Sequence, residues 1–273
     1  LIWVDDGKYK QHSEILPSPP HKTSPYVIVY GLYPSLTQGH FRERVNRARL
    51  NADGVLVDHD DLERWRAATG LPVARMAYSV DETIYIPRPK DIDVGFYCVW
   101  AWNKERPALD AWLQEHCRRK GWTYANTGGE DRGQDAYAEM LGRTKVVVHM
   151  NRTPKTRAPR LFDAAACGCA ILANPVPAVS GEEWIGGGHH YCTFATPRSE
   201  AYAAYKPEEI PVYANGHCWE VTYQLDWLLD QQNWSAVAER ARAYVLEHHT
   251  WRTRARQLRQ TLLDMFPALE RKG

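Results

Sequence analysis

KVVVHMNRTPKTRAPRLFDAAACGCAILANP runs from Lys145 to Pro175. KVVVHMN is an apolar run of strand length. PRLFDAAACG reads as a helix stopped by Gly168, and AILANP as a second strand. A strand, helix and strand at this spacing form a crossover unit, which implies parallel strands. Four cations, Arg152, Lys155, Arg157 and Arg160, fall within nine positions ahead of the helix, and Asp163 follows. Two readings fit these letters. A helix start presents backbone N–H groups and partial positive charge, and arginines add charge-assisted bonds. The stretch would then grip a diphosphate, with Asp163 turned toward a ribose hydroxyl. Alternatively, it is a solvated basic loop ahead of a helix whose alanines and Gly168 allow close packing.

The same alternation extends in both directions. LIWVDD, PYVIVYGLYP, DGVLVDH and PVARMAY read as strands, with helices at GHFRERVNRARLN and DDLERWRAATG. Ser79 to Lys90, with Pro87 and Pro89, looks like a linker. The pattern then restarts. DVGFYCVW, WTYANTGG and KVVVHMN are strands separated by the helices RPALDAWLQEHCRRKG and QDAYAEMLGRT, and the chain closes on long helices. Two such blocks imply two Rossmann-like α/β domains, 1–88 and 89–273, with a cleft between them. The second would include the closing helix.

Composition narrows the function classes. The 273 residues carry a net charge of +1, so no global field draws the chain to nucleic acid or an anionic membrane, and any anion site is local. No run approaches the roughly 20 apolar residues of a membrane helix. Six cysteines without a regular framework read as reduced thiols, which suits a cytoplasmic protein. The chain opens on Leu and the first domain is short, so that domain is expected to be minimal or truncated.

NADGVLV, IYIP, DVGF followed by RPALDAWL, KVVV followed by RLFDAAACGCAIL, and HHTWRTRARQLRQTLL occur in this order. Together they resemble the group-1, family-4-like glycosyltransferases of GT-B fold, especially the branch similar to spore-maturation proteins. The resemblance covers most of residues 45–263. It implies a nucleotide-sugar donor bound mainly by the second domain, with the acceptor on the first. Gly95 and the loop from Cys98 to Arg106 would approach the diphosphate, with Lys104 and Arg106 as cations. Arg157 and Arg160 would neutralise it from the other side. Asp163 stands where the family has the glutamate that holds the ribose. The turn from Asn126 to Gly129, including Thr127 and Gly128, would lie near the base. Two departures stand out: Cys98 replaces the family's second glycine, and no acid stands near Lys155, where relatives place a sugar-contacting glutamate. Glu183 or Glu182 would cover part of that role.

On the acceptor side, Asp5 and Asp6 end a strand, where open sheets place ligands. Either would orient a hydroxyl or act as a base, or the pair simply ends the strand in a turn. Cys167 and Cys169 have poor spacing for zinc, so no metal is expected. The basic face of HHTWRTRARQLRQ is either solvated or tracks a polyanion. The resemblance implies transfer of a sugar from a nucleotide diphosphate, UDP before others, to an acceptor hydroxyl. Retention and no cofactor beyond the co-substrate are expected. The acceptor would be a glycan, a lipid-linked sugar, a protein or a modified DNA base. A DNA-modifying transferase acting on a hydroxymethylated base, a nucleotide-sugar epimerase and a non-catalytic nucleotide-sugar-binding module are the alternatives.

Overall fold

The computed structural model describes residues 2–5, 28–31, 53–57, 62–76, 78–98, 106–130, 132–150, 158–174, 192–193 and 219–267. The expected helix at GHFRERVNRARLN lies outside them. The chain forms two compact units, Leu1–Tyr78 with Arg252–Gly273, and Ser79–Trp251.

In the first unit β1 (Ile2–Asp5), β2 (Ile28–Gly31), β3 (Gly54–Val57) and β4 (Val73–Arg75) pair in that order, all parallel. Strand β3 is buried on both faces, which is why it reads as an unbroken GVLV rather than an alternation. Val55 and Val57 pack with Trp65 of α1 (Leu62–Thr69) and with Val73. Leu56 points the other way, onto Met76 and the apolar side of the last helix, α7 (Trp251–Met265), through Leu258, Leu262 and Met265. Helix α1 stops at Gly70, which takes φ +69° and donates its N–H to Arg66 O at 2.8 Å.

In the second unit β5 (Ile92–Phe96), β6 (Tyr124–Asn126), β7 (Thr144–His149), β8 (Ala170–Ala173) and β9 (Cys192–Thr193) form a parallel sheet in the order β6-β5-β7-β8-β9. The helices are α2 (Arg106–Lys120), α3 (Gln134–Arg143), α4 (Pro159–Ala166), α5 (Trp219–Leu229) and α6 (Trp234–His248). Val94, Phe96, Val146, Val148 and Leu172 of the sheet form one core with Leu109 and Leu113 of α2 and Leu225 and Leu228 of α5. The three alanines of α4 are fully buried, and Arg242 of α6 donates to Ala166 O at 3.1 Å. Gly168, at φ +67°, ends α4 as its sequence position foretold. Among the described residues no helix is long and apolar enough to cross a membrane.

The units divide the chain differently from the sequence boundary at residue 88. The segment from Ser79 to Lys90 packs into the second unit: Tyr85 is buried, Arg88 N–H bonds Gly142 O, and Lys90 Nζ bonds Cys167 O at 2.8 Å. The closing helix belongs to the first unit, because its leucines cover the second face of β3.

Candidate functional site

Strand order reverses direction between β5 and β7 in the second sheet. β6 follows β5 on one side, while β7, β8 and β9 run out on the other. In parallel sheets of this kind, ligands bind outside the carboxyl ends of the strands at such a switch point, where the two departing loops separate. The loop after β5 leads into α2 at Arg106. The loop after β7 leads into α4 through Ala158, Pro159 and Arg160. Of the sequence-derived donor residues, Arg106, Thr127, Gly128 and Arg160 therefore follow the carboxyl ends of strands of this one sheet.

Side chains from α2 and β6 build that edge. Arg106 is buried, and its Nη2 donates to Met150 O at 2.8 Å, tying the start of α2 to the exit of β7. One turn on, the buried Asp110 accepts from Tyr124 Oη at 2.7 Å and from Asn126 Nδ2 at 2.8 Å. It thereby fixes the exit of β6. Beyond Asn126 the chain turns tightly. Gly128, at φ +62°, donates its N–H to Asn126 Oδ1 at 3.1 Å, and Gly129 has φ +79°. Thr127 is buried in this turn, and its hydroxyl has no hydrogen-bond partner among the described residues. Burial and the bond to Asp110 push the Tyr124 hydroxyl up, so it stays a donor.

Helix α4 begins with Ala158 at its N-cap and Pro159 in its first turn, so no side chain caps it. Asp163 is buried on this helix, and Arg160 is half-exposed. Three tyrosines stand close by. Tyr137 meets Tyr85 and Tyr97 edge-on, each at 6.2 Å between ring centres. Burial raises the Tyr137 hydroxyl well above its ordinary value; Asp163 adds to this and Arg160 opposes it.

Gly95 has a packing role here. A side chain at this position would lie 2.6 Å from the ring of Tyr97, whose Oη pairs with Thr144 Oγ1 at 2.6 Å. Asp5 is the last residue of β1, in the first unit. Asp6, Lys104, Arg157 and Glu183 lie outside the described residues. So do Glu182 and Lys155. Cys167 is buried at the end of α4, and Cys169 donates its thiol to Leu141 O at 3.1 Å. Burial pushes the Cys169 thiol up to about 11, far from a thiolate at neutral pH. The residues missed from sequence were Asp110 and the tyrosine trio. Asp110 carried a signal: it is an acid on the buried face of α2, between Leu109 and Leu113.

The family model for glycosyl transferase-like proteins matches residues 99–260. No curated protein matches the sequence. Among solved structures, HepE of Anabaena in complex with UDP and glucose superposes with a TM-score of 0.59 at 15% identity, over 87% of this chain and 72% of that one. A GtfA/B complex gives 0.57 at 11% identity, over 88% of this chain and 53% of that one. Sucrose-phosphate synthase from Thermosynechococcus elongatus gives 0.51 at 14% identity, over 88% and 68%. At these identities the likeness shows the fold, GT-B, with its paired Rossmann-like units. The family match covers more than half of the chain, which therefore belongs to the glycosyl transferase-like family and is a glycosyltransferase.

Proposed function

We propose that this chain moves a sugar from a UDP-sugar to an acceptor hydroxyl, with retention at the anomeric carbon and without a metal. The observation that carries this reading is the cluster at the β5/β7 switch point: a helix start without a side-chain cap, Arg160 in its first turn, and the buried Asp163. In the reaction the bond from the anomeric carbon to the β-phosphate oxygen breaks, and a bond to the acceptor oxygen forms. UDP leaves carrying additional negative charge. Arg160 and the dipole of α4 are set to stabilise that charge, which is the work a divalent cation does elsewhere. Arg106 ties the start of α2 to the exit of β7 through its bond to Met150 O. The turn at Thr127 and Gly128 receives the base, and Asp163 the ribose. Uridine is favoured because HepE has been solved with UDP-glucose and a pneumococcal O-GlcNAc transferase with UDP and GlcNAc.

The test is a thermal-shift screen of UDP-, GDP-, ADP- and dTDP-sugars, followed by transfer assays with the stabilising donor. A UDP-sugar is expected to raise Tm, since it binds only the folded state. Transfer should survive a chelator, and the first product should keep the donor's anomeric configuration by NMR. Arg160→Ala should lower turnover by roughly a hundredfold or more with an unchanged fold. Unchanged turnover in that variant refutes the diphosphate role. Sugar isomerisation with donor alone refutes transfer.

A further inference from the structure

Helix α7 has two unlike sides. Leu258, Leu262 and Met265 pack on the first sheet, around Leu56 and Met76. Roughly a third of the way around the helix, Arg252, Arg256 and Arg259 are all exposed. At 3.6 residues per turn they fall within an arc of roughly 60° and along about 10 Å of axis, so they form one straight ribbon. No hydrogen bond or ion pair joins any of the three to another residue among those described. This sets them apart from several exposed cations of the second unit. Arg118 faces Glu115, Lys120 faces Asp226 and Asp230, and Arg143 faces Asp91. On α7 the one acid is Asp264, which accepts from Gln260 instead. Cations four and three residues apart on a helix repel one another, so the ribbon works against the helix that carries it. The chain as a whole has a net charge of only +1, so this is a local concentration of charge.

We infer that the outer face of α7 docks the enzyme reversibly onto an anionic lipid surface. Arginine forks suit phosphate oxygens, and a straight row on a convex helix meets a plane of headgroups with every guanidinium at once. A duplex is a poorer fit. A helix seated in a groove meets a phosphate wall on each flank, which calls for cations on two sides rather than one line along the crest. This inference goes beyond the donor reading and does not rest on it.

The experiment is vesicle co-flotation of the full chain with phosphatidylcholine alone and with phosphatidylcholine containing phosphatidylglycerol, at low and high salt. Binding is expected on the anionic vesicles only and should weaken as salt rises. The triple variant R252Q/R256Q/R259Q should bind them on the order of a hundredfold more weakly, at about fivefold per arginine. The charge-retaining triple lysine variant should bind nearly as well as the parent. That comparison separates loss of charge from any loss of fold. Absence of binding to anionic vesicles overturns the inference. So does binding that is indifferent to lipid charge, or glutamine and lysine variants that behave alike. Salt-sensitive binding to duplex DNA that is tighter than binding to vesicles, and lost in the glutamine variant, overturns it in favour of a nucleic-acid surface.

Discussion

Replacing Asp110 with alanine should cost about 3 kcal/mol of folding stability and weaken UDP binding. The carboxylate is buried on α2 and accepts from two donors on another element: Tyr124 Oη at 2.7 Å, and Asn126 Nδ2 at 2.8 Å to one oxygen and 3.0 Å to the other. A hydrogen bond to a charged group contributes about 1.5–3 kcal/mol. Both donors are only half-buried, so water can replace part of what they lose, and the lower end applies to each. Two such losses give the total. Asp110→Asn keeps one acceptor oxygen but loses the charge and turns an N–H toward Asn126, so about half the cost is expected. Urea unfolding followed by tryptophan fluorescence reads both values as midpoint shifts at constant slope. A double-mutant cycle with Tyr124→Phe should show coupling, because the two residues share one bond. Calorimetry with UDP then tests whether the loosened turn matters to the ligand. A loss below about 0.5 kcal/mol for Asp110→Ala, a size typical of ordinary surface substitutions, would refute the idea that this acid holds the β6 exit.

Gly95→Ala should lose about 1–3 kcal/mol, since the new methyl would sit 2.6 Å from a Tyr97 ring that is buried and bonded to Thr144. Adding Tyr97→Leu should recover part of that loss, and adding Tyr97→Phe should not, as thermal unfolding would show. Stability should also fall with pH through His116, which is stacked on Trp112 at 4.9 Å and held below the ordinary imidazole value by burial. Asp226 of α5 and Asp230 just beyond it oppose that shift, while Lys120 and Arg119 of α2 reinforce it. The unfolded chain takes up the proton first, so stability is full above about pH 6.5 and declines below it, toward the lowered folded value. His116→Phe should flatten that slope in urea midpoints measured across the range.

Much of the fold could be read because strands buried on both faces are apolar throughout. GVLV and KVVVH announce themselves, and Gly70 and Gly168 mark helix ends that need a positive φ. The crossover units gave parallel strands, but the sheet order that sets the switch point between β5 and β7 was not in the letters. What could not be read were contacts made across the chain. The leucines of α7 have the same helical spacing whichever sheet they cover, so the letters gave no reason to assign that helix to the first unit. Gly95 looked like a backbone approach point. A ring two residues further on, folding back over the strand, also calls for a glycine there. The bond from Arg106 to a carbonyl 44 residues away was likewise invisible in the letters.

Arg106 and Asp110 together give α2 a part that neither suggests alone. They lie one turn apart at the start of that helix and bond in different directions. Arg106 reaches the exit of β7 through Met150 O, and Asp110 reaches the exit of β6 through Tyr124 and Asn126. Strand β5, which leads toward α2, lies between those two strands in the sheet. One helix turn therefore sets the spacing of three strand exits, and it does so with charge-assisted bonds from the buried side chains of Arg106 and Asp110. A site that stabilises a departing diphosphate gains most when its donors and dipoles already stand where charge will develop, because reorganising them during the reaction would raise the barrier. The first turn of α2 is thus the part of the fold that converts a sheet edge into a fixed frame, and in the proposed reaction α4 with Arg160 and Asp163 would act against that frame.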